Sequence, residues 1–169
     1  MTDARIRRAR PGDGEGCADV WIDVGRYYNT LDSQIYQIPS SEGLAESFEH
    51  RIANADPDQL RLVAEDEVIV GLLVAGLYRP DPRPDHELVR DLSRVRLFVH
   101  VLAVSAPYRR TGVGTALMVA AETWAREHGA VIVSLDTHAR NPTAVPFYES
   151  RMGYGRRAII FRKEIDQSP

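Results

Sequence analysis

Apolar positions along this chain repeat with two different periods, and the switches between them mark the elements. Arg5 to Ala9 has the make-up of a short strand with Ile6 turned inward. Pro11-Gly12-Asp13-Gly14 is a turn, and Asp13 or Gly14 opens a helix carried by Val20, Trp21 and Val24. Asn29 to Ser40 reads as irregular, and a second helix is expected over Glu42 to Ala53. Leu60 to Ala64 and Val68 to Leu77 are rich in strand formers and separated by Glu65-Asp66-Glu67, which predicts a hairpin. Pro80, Pro82 and Pro84 then forbid a regular ladder, so residues 79–92 are expected to form a mobile loop. Its acidic Asp81, Asp85, Glu87 and Asp91 either draw a cationic substrate or simply keep a connection solvated.

The second half carries a sharper pattern. Val95, Leu97, Val99 and Val101 alternate with Arg96, Phe98 and His100, the mark of a strand with one buried face. The phase then slips, and Leu102 and Val104 take over the apolar positions. A β-bulge near Val101-Leu102 produces such a slip by setting two residues against one; a strand buried on both faces blurs alternation in the same way. Ser105-Ala106-Pro107-Tyr108 is a turn, and Arg109 to Thr115 holds two glycines. Beyond it Val113, Ala116, Leu117, Ala120, Ala121 and Trp124 recur at helical spacing until Gly129 stops the run. Val131, Val133 and Leu135 make another strand. The unit is a βαβ crossover, normally right-handed and joining parallel strands.

Composition narrows the classes. A chain of 169 residues fits one domain over 1–169, with an ordered core expected over about 4–165. With 44% hydrophobic and 27% charged residues it is globular, and a net charge of -3 gives no basic field for nucleic acid. Cys17 is single, so no internal disulfide is available, and Met1 to Arg10 lacks the apolar core of a signal peptide. No run approaches the ~18 apolar residues of a membrane helix. A cytoplasmic protein without membrane partners is the expectation. His50, His86, His100, His128 and His138 show no metal-ligand spacing, so no metal is expected.

The glycine loop has a physical use. The first amides of a helix lack internal partners, and the macrodipole places partial positive charge there. Gly112 and Gly114 let that backbone approach a phosphate, and Arg109 and Arg110 add charge at the same mouth. A nucleoside-triphosphate loop needs a lysine that Gly114-Thr115 does not supply. A dinucleotide fingerprint needs a third glycine where Leu117 stands, although Asp136 ends the following strand as a ribose-binding acid would. That oxidoreductase reading is the remote one, and a glycine turn without ligand is another. Coenzyme A is the third pyrophosphate carrier.

Leu102-Ala103-Val104, Tyr108 and Arg109-Arg110-Thr111-Gly112-Val113-Gly114 resemble motif A of the GNAT superfamily of N-acetyltransferases. Asn141 to Tyr148, followed by Met152-Gly153-Tyr154, resembles its motif B. The likeness covers about residues 95–164; the N-terminal half is similar only in its order of elements. It implies an α/β fold, with a mixed, mostly antiparallel twisted sheet flanked by helices and two splayed parallel central strands as the cofactor cleft. It implies acetyl-CoA as acyl donor, with backbone groups of Leu102, Ala103 and Val104 on the pantetheine arm. The amides of Arg109, Arg110, Thr111, Gly112, Val113, Gly114 and Thr115 would meet the pyrophosphate. Asn141 would bond the pantetheine region, Tyr148 would stand beside the thioester sulfur, and Phe147 would pack the core beneath. A last strand over residues 157–164 is expected, which in this family often contributes to a homodimer interface.

Acyl transfer needs a neutral amine, a polarised carbonyl and a protonated leaving thiolate. An alkyl amine has a pKa of about 10, so a base or a water relay must take its proton. Family members often carry glutamate where His100 stands, which makes His100 either that base or a pocket-lining strand residue. Tyr148 is the candidate acid, and a bulge N–H the oxyanion donor. Asp136 and His138 are further candidates near the acceptor; Tyr27 and Tyr28 either line that site or pack. The acceptor is a small-molecule amine or a protein amino group, attacked directly through a tetrahedral intermediate. The alternative is a coenzyme A-binding sensor or assembly domain without catalysis.

Overall fold

The computed structural model describes residues 4–80 and 82–165. Asp81, one of the acidic loop residues singled out above, lies outside them. The chain divides after Asp136 into two units. In the first, β1 (Arg5–Arg8), β2 (Gln59–Asp66), β3 (Val68–Tyr78), β4 (Arg96–Val104) and β5 (Ile132–Leu135) form one sheet in that order among the described residues. Neighbours are antiparallel except β4 and β5, which are parallel. The mixed, mostly antiparallel sheet is the one expected.

Helix α1 (Gly14–Leu31) runs past the point where irregular chain was expected, and α2 is Leu44–Ala53. Asp13 does not cap α1 with its side chain. It accepts two bonds from Arg7, at 2.7 and 2.9 Å, while Glu49 of α2 accepts the amides of Gly12 and Gly14. Burial alone would raise the Asp13 pKa, but the Arg7 guanidinium outweighs it and holds the carboxyl below its ordinary value. The acidic loop contains two short 3-10 turns, Pro84–His86 and Arg90–Ser93.

Alternation gives the sheet two faces. Helix α3 (Val113–Glu127) packs on β2, β3 and β4, and its Leu117 and Met118 are fully buried with Leu60, Leu73 and Leu97. Gly129 ends it with φ +78, where the amides of Gly129 and Ala130 close on the carbonyls of Arg126 and Ala125. Helices α1 and α2 pack together against the sheet, and α1 meets β3 and β4. There Cys17, Val20 and Phe48 cluster with Val63, Leu72 and Ala103.

The second unit begins at Thr137. One helical turn at Ala144–Pro146 continues as a π-turn at Phe147–Arg151. The expected strand over residues 157–164 is not present: residues 153–165 carry no regular structure. A strand exists only with a hydrogen-bonding neighbour, and this segment has none in the sheet. Its Ile159, Ile160 and Phe161 are 80%, 76% and 91% exposed.

Candidate active site

The bulge expected from the phase slip lies in β4, slightly earlier than the pattern suggested. Val74 of β3 faces Val101 while the next residue, Ala75, faces Val99, so His100 is the extra residue. Pairing between β4 and β5 runs from Arg96↔Ile132 to Val99↔Leu135 and stops there. From His100 to Val104 the edge of β4 away from β3 has no β5 partner, so the two parallel strands part at the bulge. Leu102, Ala103 and Val104 remain paired with Leu73, Leu72 and Gly71 on the other side.

The glycine loop sits at the end of this gap. Arg110 has φ +65 and Gly112 φ +104, two left-handed residues that turn successive amides outward. Among the described residues the amides of Arg110, Gly112, Val113 and Gly114 donate to no acceptor. The Ala116 amide turns inward and donates to the Gly112 carbonyl at 2.9 Å. Thr111 donates its hydroxyl to the Tyr108 carbonyl, and Thr115 lies in the first turn of α3. Gly112 is required by its φ rather than by crowding, since nothing lies within 4 Å of where a Cβ would stand. An array of outward amides at a helix start fits a diphosphate.

Arg109 has a different place from the one its charge suggested. Its guanidinium bonds Asp23 of α1 at 2.8 Å and the Val104 carbonyl at 2.9 Å, and lies 4.8 Å over the Tyr27 ring. Asp23 also accepts the Ala106 amide. The side chain is therefore a strut tying the loop to α1. Its own amide is engaged by the Ala106 carbonyl.

On the α1 and α2 side, His100 faces a cavity of about 680 Å³. Its Nε2 lies 3.2 Å from the Tyr78 hydroxyl, and its ring is 5.0 Å from that of Phe98. Gly76 makes the room: a Cβ there would stand 3.2 Å from His100 Nε2 and 3.3 Å from the Tyr78 ring. Trp21, Arg51 and Arg61 also line the cavity. Sequence reasoning passed over Tyr78, Gly76, Arg51 and Arg61; the signal was the polar pair Gln59 and Arg61 alternating with Leu60 and Leu62.

Tyr27 and Tyr28 meet edge to face, and Tyr28 packs on Tyr36 and against the α1 cluster. Asp136 is exposed beyond β5; burial chiefly, then Tyr28 and after it the Asp136 charge, raise the Tyr36 hydroxyl above its ordinary pKa. In the second unit, the half-buried His138 accepts the Arg140 amide at its Nδ1. Asn141, 2% exposed, accepts the amides of Thr143 and Ala144 with its Oδ1 and so starts the helical turn. Tyr148 stands between the rings of Phe147 and Tyr154, at 5.0 and 6.0 Å, and is half-buried like Phe147. Among the described residues no helix is long and apolar enough to cross a membrane, and no group of three His, Cys, Asp or Glu is placed to hold a metal.

Residues 26–154 match the model of the acetyltransferase (GNAT) family. A Bacillus subtilis protein described as an uncharacterized N-acetyltransferase, YhdJ, is 35% identical over 69 residues, 41% of this chain. The chain spans about half the length of that relative, 49%. Among solved structures, an acetyltransferase of Trypanosoma brucei superposes with a TM-score of 0.66 at 19% identity, covering 96% of this chain and 100% of that one. Glucosamine-6-phosphate N-acetyltransferase of Arabidopsis thaliana does so with a TM-score of 0.67 at 15% identity, covering 96% and 99%. Both likenesses are of fold.

Proposed function

The chain belongs to the acetyltransferase (GNAT) family, and from that premise we propose that it transfers an acetyl group from acetyl-CoA to a primary amine. The observation that carries this reading is the set of outward amides at Arg110, Gly112, Val113 and Gly114, next to the opening between β4 and β5. A diphosphate on those amides would leave the pantetheine arm to run along the edge of Leu102, Ala103 and Val104 that β5 does not reach, as an added strand does.

The thioester carbonyl would then reach the bulge, where a backbone N–H can stabilise the oxyanion by ~3 kcal/mol. The amine nitrogen attacks that carbon, a water relay ending at His100 takes its proton, and the C–S bond breaks as the intermediate collapses. For the departing thiolate we assign the proton to the Tyr148 hydroxyl, on the strength of the motif in which it stands. Asn141 is assigned to the pantetheine region on the same ground. No acyl-enzyme is required.

The test is thiol release from acetyl-CoA against a panel of amines, amino acids and peptides. Tyr148→Phe should lower kcat about 100-fold while acetyl-CoA still raises the Tm. Gly112→Asp should abolish that rise; turnover at the wild-type rate in either variant contradicts the assignment. A homodimer is part of the proposal, because Ile159, Ile160 and Phe161 are an exposed apolar run that a second copy would cover. Light scattering on Phe161→Asp should then read a monomer. A cytoplasmic setting, with Cys17 buried and reduced, completes it.

A further inference from the structure

The cavity beneath His100 contains two guanidinium groups, of Arg61 and Arg51, that pair with no carboxylate among the described residues. Arg61 projects from β2 on the face it shares with Val74 and Val101. One terminal nitrogen donates to Gln59 at 2.8 Å, but its buried Nε–H has no acceptor. A buried donor left unpaired costs roughly 1–3 kcal/mol, so such a group is expected to meet an acceptor in the working state. Burial and, next to it, the charge of Arg51 both push the Arg61 guanidinium below its ordinary pKa. Arg51, in the last turn of α2, lines the same cavity and has no carboxylate partner among the described residues.

Two acids share the rim, each held by a neighbour, and Asp56 keeps its charge there. Asp58 pairs with Arg79 at 3.0 Å, and Asp56 accepts the Asp58 amide at 2.8 Å to hold the turn into β2. Arg61 and Arg51 thus stand beside apolar walls from Trp21 and Phe48, and the far side of the cavity is the bulge with His100 and Tyr78.

Resting on the acetyl-transfer reading above, we propose that the acceptor is a small amine that also carries an oxyanion, a carboxylate or a phosphate. The oxyanion seats on Arg61 and Arg51, and the amine points at the bulge. Arg61 and Val101 stand on the first and third of three adjacent strands, so the two ends lie two strand spacings apart, roughly 10 Å. That span suits a molecule of amino-acid or amino-sugar-phosphate size, and 680 Å³ holds one. A planar, five-donor guanidinium matches an oxyanion with paired bonds, which a neutral polyol or a cationic polyamine does not offer.

The experiment compares kcat/KM for alanine with alaninamide, and for glucosamine 6-phosphate with glucosamine, with acetyl-CoA saturating. At least one anionic member should exceed its neutral counterpart tenfold or more, and which pair does so separates carboxylate from phosphate. Arg61→Gln should bring that ratio close to one by raising KM, and Arg61→Lys should restore part of it. Arg51→Gln, at an exposed helix end, should lower the same ratio about threefold and covers the case in which the Arg61 variants fail to fold. The rise in Tm with acetyl-CoA should survive in every folded variant. Equal use of charged and neutral amines, no acetylation of any of the four, or a ratio untouched by these substitutions overturns the anionic acceptor while leaving donor binding intact. If acetyl-CoA fails to raise the wild-type Tm, the acetyl-transfer reading falls and the acceptor assignment falls with it.

Discussion

The two faces of the sheet start from the same alternating strands and end in different chemistry. Toward α3, Leu60, Leu73 and Leu97 close on Leu117 and Met118 with no polar side chain between them. Toward α1 and α2 the strands begin equally apolar, at Val63, Leu72 and Ala103, and then give way to Arg61, Gly76 and His100 around open space. The sealed face fixes the strands, and with them the bulge and the parting of β4 from β5. The interrupted face leaves the buried Arg61 Nε–H without an acceptor among the described residues.

Substitutions on the two faces should therefore differ in sign as well as size. Leu117→Ala empties a fully buried site on the sealed face and should cost about 3 kcal/mol in urea unfolding. A loss below about 1 kcal/mol would mean that α3 is not the anchor described. At the charged root of α1, Asp13→Asn replaces one of the two oxygens that accept from Arg7 with a donor, removes the charge, and should cost about 2 kcal/mol at pH 7. The native Asp13 pKa is depressed, so its contribution is present above about pH 4 and is lost as pH falls through the native value. The two proteins should converge in acid unfolding; a gap that persists would place the effect in packing instead.

Arg61→Leu is the opposite case. Removing an unpaired buried donor should raise stability by about 1 kcal/mol while weakening any anionic acceptor, and a clear loss of stability would contradict the picture of a waiting group. The smallest change is Gly76→Ala. Its Cβ would crowd His100 Nε2 and the Tyr78 ring, both side-chain ends that can shift, so stability should move by about 0.5 kcal/mol or less. Turnover should fall severalfold as the His100–Tyr78 contact is displaced, and unchanged turnover would remove His100 from the relay.

Period and turn chemistry made most of the first unit legible, because they are local. The hairpin of β2 and β3, the start of α1 and the glycine stop of α3 all depend on neighbours in sequence. The bulge was visible as a slip in phase, yet alternation records where a new phase is established rather than which residue is extra. Arg61 drew no reading from the sequence, since only cross-strand register and the helix lying over it reveal the cavity. Arg109 looked like a phosphate ligand because Asp23, its partner, lies 86 residues away. The apolar run of Ile159, Ile160 and Phe161 resembled a strand, but a strand also needs an edge to pair with. Likewise the turn at Phe147–Arg151 followed motif spacing without disclosing its wider π geometry.

The most direct measurement is an amide NMR titration with acetyl-CoA. The account predicts the largest shifts at Arg110, Gly112, Val113 and Gly114 and along His100 to Val104, with the C-terminal half of α3 nearly still. Shifts centred elsewhere, or none at saturating acetyl-CoA, would contradict it.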